Sequence, residues 1–241
     1  MSGWRTIWAI EKFGWRREWS GLLLMLASTL YVGALIGFAM GEALVGDADS
    51  KIGGVLVDWM YMMMFSVFGM CSNRTTFRIF REDFYTRKIA CWRTMPIPLA
   101  AIVGARIARA LVLVPGIGFL FLLLQYGFAA EVRARLSLGE WLAAGWLWIC
   151  YGLAMSALLI WLELGVSGKR YMIAYWAMLA VIGLAAVGAA IGGVHLIAWT
   201  IDQASAAHYA WLPVFTLAAA AALFAGFRLT QNRMRHRSYY F

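Results

Sequence analysis

"IPLAAIVGARIARALVLVPGIGFLFLLLQYGFAA", residues 97–130, reads as one membrane-grade run. Its apolar side chains are continuous rather than alternating, which argues for a helix and against a transmembrane strand with one wet face. A helix needs about 20 such residues to cross bilayer hydrocarbon, and this run is longer than that. Arg106 and Arg109 lie in its first turns, where their heads can still reach an interface. Five more segments qualify as spans: Gly21 to Leu44, Ile52 to Cys71, Leu138 to Leu162, Tyr171 to Ile201 and Tyr209 to Phe227. The expected fold is therefore all-α, a polytopic membrane protein of six transmembrane helices forming a single domain over residues 1–241.

Composition agrees. Of 241 residues, 63% are hydrophobic and 14% charged, whereas soluble domains carry about 25% charged residues. The formal charge of +9 is split among several loops, which fits membrane topology better than a nucleic-acid surface. Cys71, Cys91 and Cys150 are an odd number without metal-ligand spacing, and read as reduced small hydrophobes. No cleaved signal peptide is expected, because the first apolar run begins near Trp19 after a long charged lead and exceeds a typical signal core.

Orientation follows from Lys and Arg. With both termini cytoplasmic, all but three of the 21 basic residues lie inside; Lys51, Arg133 and Arg135 are the exceptions. The expected location is the cell membrane, multi-pass, with an acidic outer side carrying Glu42, Asp47, Asp49, Glu131, Glu140 and Asp202. Glu163, near the inner end of the fourth span, is expected to pair with Lys169 or Arg170.

Before the first span stands "MSGWRTIWAIEKFGWRREWS". Wound at about 100° per residue, Trp4, Trp8, Trp15 and Trp19 fall within about 60° of one another, with Arg5, Lys12 and Arg16 beside them. Residues 1–19 thus read as an amphipathic helix lying on the inner headgroups, with the four tryptophans as interface anchors. It is either a plain anchor or an elbow that transmits motion.

The longest polar interruption is "REDFYTRKIACWRTMPIP", residues 81–98. Asp83 and Arg87 stand four apart with the acid first, the favourable order on a helix. Phe80, Phe84 and Cys91 share a face. Pro96 and Pro98 then stop the helix. Aromatic residues beside water invite a protein partner; a helix resting on lipid is the other reading.

Elbow helix, span, short outer loop, span and cytoplasmic helix "FREDFYTRKIACWRTMPIPLAAIVGARI" together resemble permease subunits of type-2 ATP-binding-cassette exporters. In that family an acidic residue and a hydrophobic helix precede a Leu-Pro-Ile-like turn; here it reads Met95-Pro96-Ile97. The resemblance implies a second permease copy or a paralogue, most simply a homodimer, and a separate ATPase subunit docked on a coupling helix within residues 76–95. Glu82, Asp83, Phe84, Arg87, Trp92 and Arg93 are the implied contacts. The chain lacks Gly-x-x-x-x-Gly-Lys-Ser/Thr, so ATP and magnesium would sit on that partner and the chain itself would hold no cofactor and catalyse nothing. The family often joins its last two spans by a small outer re-entrant element, which residues 192–213 would hold in reduced form.

Asp58, early in the second span, is either functional or a pore-lining or snorkelling acid. With Tyr61 and Met62 it marks a candidate substrate path. "MYMMMF", residues 60–65, reads as packing or cargo contact rather than a metal site, since adjacent helical positions face different ways. Gly33, Gly37 and Gly41, and Gly188 and Gly192, recur every four residues. Such spacing lets helices approach closely, either at a dimer seam between the first and fifth spans or inside one subunit. The basic aromatic tail, 228–241, is expected to anchor to inner headgroups, with no nucleic-acid role. The resemblance implies export, and the low charge of the spans favours a hydrophobic or amphipathic cargo, among family cargoes a peptide before a drug. The rival readings are a membrane scaffold or sensor that transports nothing, and an ion-coupled transporter.

Overall fold

The computed structural model describes residues 3–45, 50–70, 89–92, 94–95, 97–206 and 209–236. Among these residues every regular element is a helix: α1 (Gly3–Val45), α2 (Ser50–Val67), α3 (Leu99–Phe128), α4 (Ala130–Arg135), α5 (Leu138–Gly165), α6 (Gly168–Ile191), α7 (Leu196–Ser205) and α8 (Trp211–His236). The all-α expectation holds.

Among the described residues five helices are long and apolar enough to cross a membrane: Glu18–Met40 within α1, and α3, α5, α6 and α8. The second expected span falls short. Only Gly53–Val67 of α2 forms its apolar stretch, and the whole 18-residue helix is about 27 Å long at 1.5 Å per residue, under the roughly 30 Å of bilayer hydrocarbon. The chain leaves the helix before Gly69, whose Cα faces Ser156 and Val114 at a separation that leaves no room for a Cβ.

Neighbour contacts give the directions. α1 runs parallel to α3, with Ile7 beside Gly104 and Gly37 beside Phe128. α2 is antiparallel to α3 and parallel to α5. α6 is antiparallel to α2, with Tyr171 against Met70 and Gly183 against Trp59. α8 lies parallel to α5, with Thr216 at Trp146 and Arg233 at Gly165. The start of α1 and the end of α8 therefore share one end of the bundle. Arg106, Arg109, Lys169 and Arg233 lie at that same end, called the basic end below.

The N-terminal segment is not a separate elbow. Residues 3–19 and the first span form one unbroken helix, about 65 Å long. Two causes are visible. No proline interrupts the segment and its glycines are isolated, so nothing breaks the hydrogen-bond ladder. The segment is also fastened to α3 by charged side chains described below. Trp8, Trp15 and Trp19 are exposed along α1, in keeping with lipid or interface contact; the side chain of Trp4 lies outside the described residues.

The fifth expected span, 171–201, is broken after Ile191. Gly193 adopts φ +76°, its N–H donates to the Ala190 carbonyl, and the Val194 N–H donates to the Ala189 carbonyl. This is a glycine-terminated C-cap in which a left-handed residue ends the helix. The chain then turns into the short α7. At the other end of the sequence, α8 continues past Phe227 to His236, so residues 228–236 extend a span rather than forming a distinct tail; 237–241 lie outside the described residues.

The main core is aromatic. Tyr61, Phe65, Phe68, Phe121 and Trp148, from α2, α3 and α5, place their ring centroids 5.1–6.2 Å apart in mostly edge-to-face pairs, the arrangement favoured by ring quadrupoles. α6 and α8 flank this core with exposed outer faces, including Ile173, Trp176, Leu184, Leu217 and Phe224. In a bilayer these faces meet acyl chains.

Candidate functional site

At the basic end five charged side chains alternate in sign across three helices. Arg109 of α3 donates from Nε to Glu11 Oε2 at 2.7 Å and from Nη1 to Glu18 Oε2. Glu18 also faces Arg106, Nη1 to Oε2 at 4.0 Å. Arg106 donates to Glu163 Oε1 of α5 at 2.6 Å. The order is Glu11, Arg109, Glu18, Arg106, Glu163, and every member is at most 16% exposed. Glu11, Gly14 and Glu18 share one face of α1 through i, i+3 and i+7 spacing. Gly14 lets the guanidinium lie close to α1, since a Cβ at that position would displace Arg109 Nη2. Water-free charges need partners to exist at all, so this ladder fixes α1, α3 and α5 relative to one another.

Glu163 thus pairs with Arg106 instead of the expected Lys169 or Arg170. Arg106 and Arg109 turn inward to acids rather than outward to phosphate. The sequence reading does not single out Glu11 and Glu18. Their signal was present as two acids seven apart beside the tryptophan stripe, facing an Arg-x-x-Arg in a span.

Below the ladder lies a second apolar core. Ile89, 1% exposed, packs with Ile102 and Val103 of α3, Ile160 and Leu164 of α5, and Met234 of α8. Trp92, Ile97 and Leu99 cover it. Residues 89–92 are helical; the Met95 N–H donates to the Trp92 carbonyl and the Ile97 N–H to the Met95 carbonyl. The C-terminal end of the 76–95 segment is therefore built into the bundle. Of the implied ATPase contacts, Trp92 is half-buried in this core, whereas Glu82, Asp83, Phe84, Arg87 and Arg93 lie outside the described residues.

At the opposite end stands Asp58, 1% exposed. Its Oδ2 accepts from the Leu196 N–H and its Oδ1 from the Ile197 N–H, both at 2.9 Å. These are the first two amides of α7, which have no partner inside their own helix, and the carboxylate also meets the positive end of the helix dipole. His195 Nδ1 lies 3.7 Å from Oδ2, and the imidazole packs where a Cβ on Gly54 would stand.

Tyr61 is fully buried, its hydroxyl donating to Gln125 Oε1 of α3. Met62 is half-buried against the main core, with Met60 and Met63. Gly33 and Gly37 pack within the chain: a Cβ on Gly33 would stand 3.2 Å from the Phe121 ring, and one on Gly37 2.9 Å from Phe128 Cβ. Their small faces are already covered by α3. Gly188 faces open space and Gly192 is the C-cap of α6. The surroundings of Gly41 lie outside the described residues.

No family model, curated protein or solved structure matches this chain.

Proposed function

We propose that the chain is the membrane permease subunit of an ATP-driven exporter, resembling the type-2 ATP-binding-cassette class, and that a separate ATPase drives it through residues 76–95. One observation carries this reading: the end of that segment is keyed into an apolar core shared by α3, α5 and α8. Close-packed interiors transmit displacement, so a push on the segment reaches three helices at once. A mere linker between two helices has no need of a fully buried Ile89. The excess of Lys and Arg at this end supports placing it, with both termini, in the cytoplasm. Two permeases work together, ATP and magnesium reside on the partner, and this subunit catalyses no reaction. The low charge of the membrane helices favours a hydrophobic or amphipathic cargo, a peptide before a drug.

The test is co-purification in mild detergent from cells expressing the tagged full chain. An ATPase should accompany the parent protein and be lost from Phe84→Ala/Trp92→Ala. Loss of two aromatic anchors should cost at least about 2 kcal/mol, roughly thirtyfold in affinity. Trp92 also packs on the second core, so the thermal midpoint of the variant is measured alongside. Full ATPase association and transport in the double variant would end the docking assignment; absence of any ATPase with the parent would favour a scaffold or an ion-coupled carrier.

A further inference from the structure

One helix of the chain is capped by its own neighbouring residues. At α5, the Ser137 side chain accepts from the Glu140 N–H while Glu140 reaches back to the Ser137 N–H, a complete capping box. At α7 the arrangement differs. The N-cap residue is His195, whose side chain makes no capping bond, and the cap comes from Asp58 on α2, 138 and 139 positions away in sequence. Without Asp58, two amides at the start of a ten-residue helix would be left without acceptors.

α7 also covers something. Its own Ile197, Thr200, Ile201 and Ala204 are buried, and the first three roof a small hollow whose other walls include Tyr61, Leu122, Trp141 and Trp148. Its opposite side carries the exposed Trp199. On its N-terminal flank lies the glycine break at Gly192–Gly193, where the backbone already adopts a left-handed residue.

We propose that α7 is a plug in the mouth of the bundle opposite the basic end, and that the Asp58 carboxylate is the latch holding it. When the carboxylate lets go, α7 leaves as a unit about the Gly192–Gly193 turn and opens the aromatic interior between α2, α3 and α5 to that side. Because the latch residue belongs to α2, a displacement of α2 along its axis withdraws both acceptors together. This reading stands whether or not an ATPase drives the chain.

The test is peptide-resolved hydrogen exchange on the full chain in lipid nanodiscs, comparing the parent with Asp58→Asn and Asp58→Leu. Asn keeps the side-chain shape and one acceptor, which guards against misfolding; Leu removes both acceptors. Two charge-assisted hydrogen bonds are at stake. Exchange across residues 196–205 should rise about tenfold in Asp58→Asn and about a hundredfold in Asp58→Leu, with α5 and α8 unchanged. Unchanged exchange in α7 for both variants would overturn the latch. So would an equal rise in every helix, which would make Asp58 an ordinary support of the whole bundle.

Discussion

Arg109→Met should clearly lower the protein's stability to detergent and heat. The substitution leaves Glu11 and Glu18, both buried and both bonded to that one guanidinium, without it. Breaking a buried charge pair from one side costs about 3–5 kcal/mol, set against a total stability of about 5–15 kcal/mol for a typical domain. Arg106 retains its 2.6 Å bond to Glu163 and its 4.0 Å approach to Glu18. The expected result is a loss of the monodisperse species in size-exclusion chromatography, or a lowered thermal midpoint by tryptophan fluorescence. Adding Glu11→Gln and Glu18→Gln to Arg109→Met should recover much of that loss, since the surviving polar groups are then neutral. Arg109→Lys should fall between, because an ammonium keeps the charge but not the two-pronged donor geometry. A melting curve for Arg109→Met that overlays the parent would show that the ladder fastens nothing.

Gly152→Val is the second large effect. A Cβ at this position would stand 2.7 Å from the Phe65 carbonyl oxygen and 3.0 Å from Val114 Cγ1. The first obstacle is backbone and cannot rotate away. α5 can accept the side chain only by separating from α2, which pulls apart the packing of Phe65 with Trp148 and Phe121. Overpacking of this kind costs about 1–3 kcal/mol, and the lost aromatic contacts add about 0.5–1.5 kcal/mol each. Thermal unfolding should show a clearly lowered midpoint, with a shift in tryptophan emission as Trp148 is disturbed. Gly188→Ala is the matched control: nothing stands within 4 Å of its Cβ, and replacing a helical glycine should be neutral or stabilising by up to about 1 kcal/mol. If the two variants melt alike, the close approach of α2 and α5 is not a packing constraint.

The long helices were legible because lipid leaves a chain few choices. Runs such as 99–128 and 138–165 have to satisfy every backbone group internally, so apolar length alone implies a helix. Gly192–Gly193 also carried a readable signal, a glycine pair in the position of a C-cap. A hydropathy reading passes over it because residues on both sides are apolar, and the expected fifth span was too long for that reason. The second expected span, Ile52 to Cys71, likewise exceeds the apolar helix found there, Gly53–Val67. The segment's composition is that of a span, yet among the described residues its apolar helix is shorter than one, and its end depends on where the chain turns at Gly69 against α3 and α5. The elbow expectation failed on a similar point. A stripe of tryptophans and basic residues describes a surface preference and leaves open whether the helix breaks; the structure has one unbroken α1, joined to α3 where Glu11 and Glu18 meet Arg109.

By itself the sequence determined that this is a helical membrane protein, where most of its helices lie and at which end its basic residues gather. Those properties follow from local composition and from the energetic demands of the bilayer on each segment separately. Only the tertiary structure decided that Glu11 belongs to Arg109, 98 positions away, that Glu163 belongs to Arg106, that Ile89 is buried among three helices and that Asp58 caps α7. Which acid meets which base, and which glycine meets which ring, depends on the relative height and rotation of packed helices, and no local periodicity encodes either.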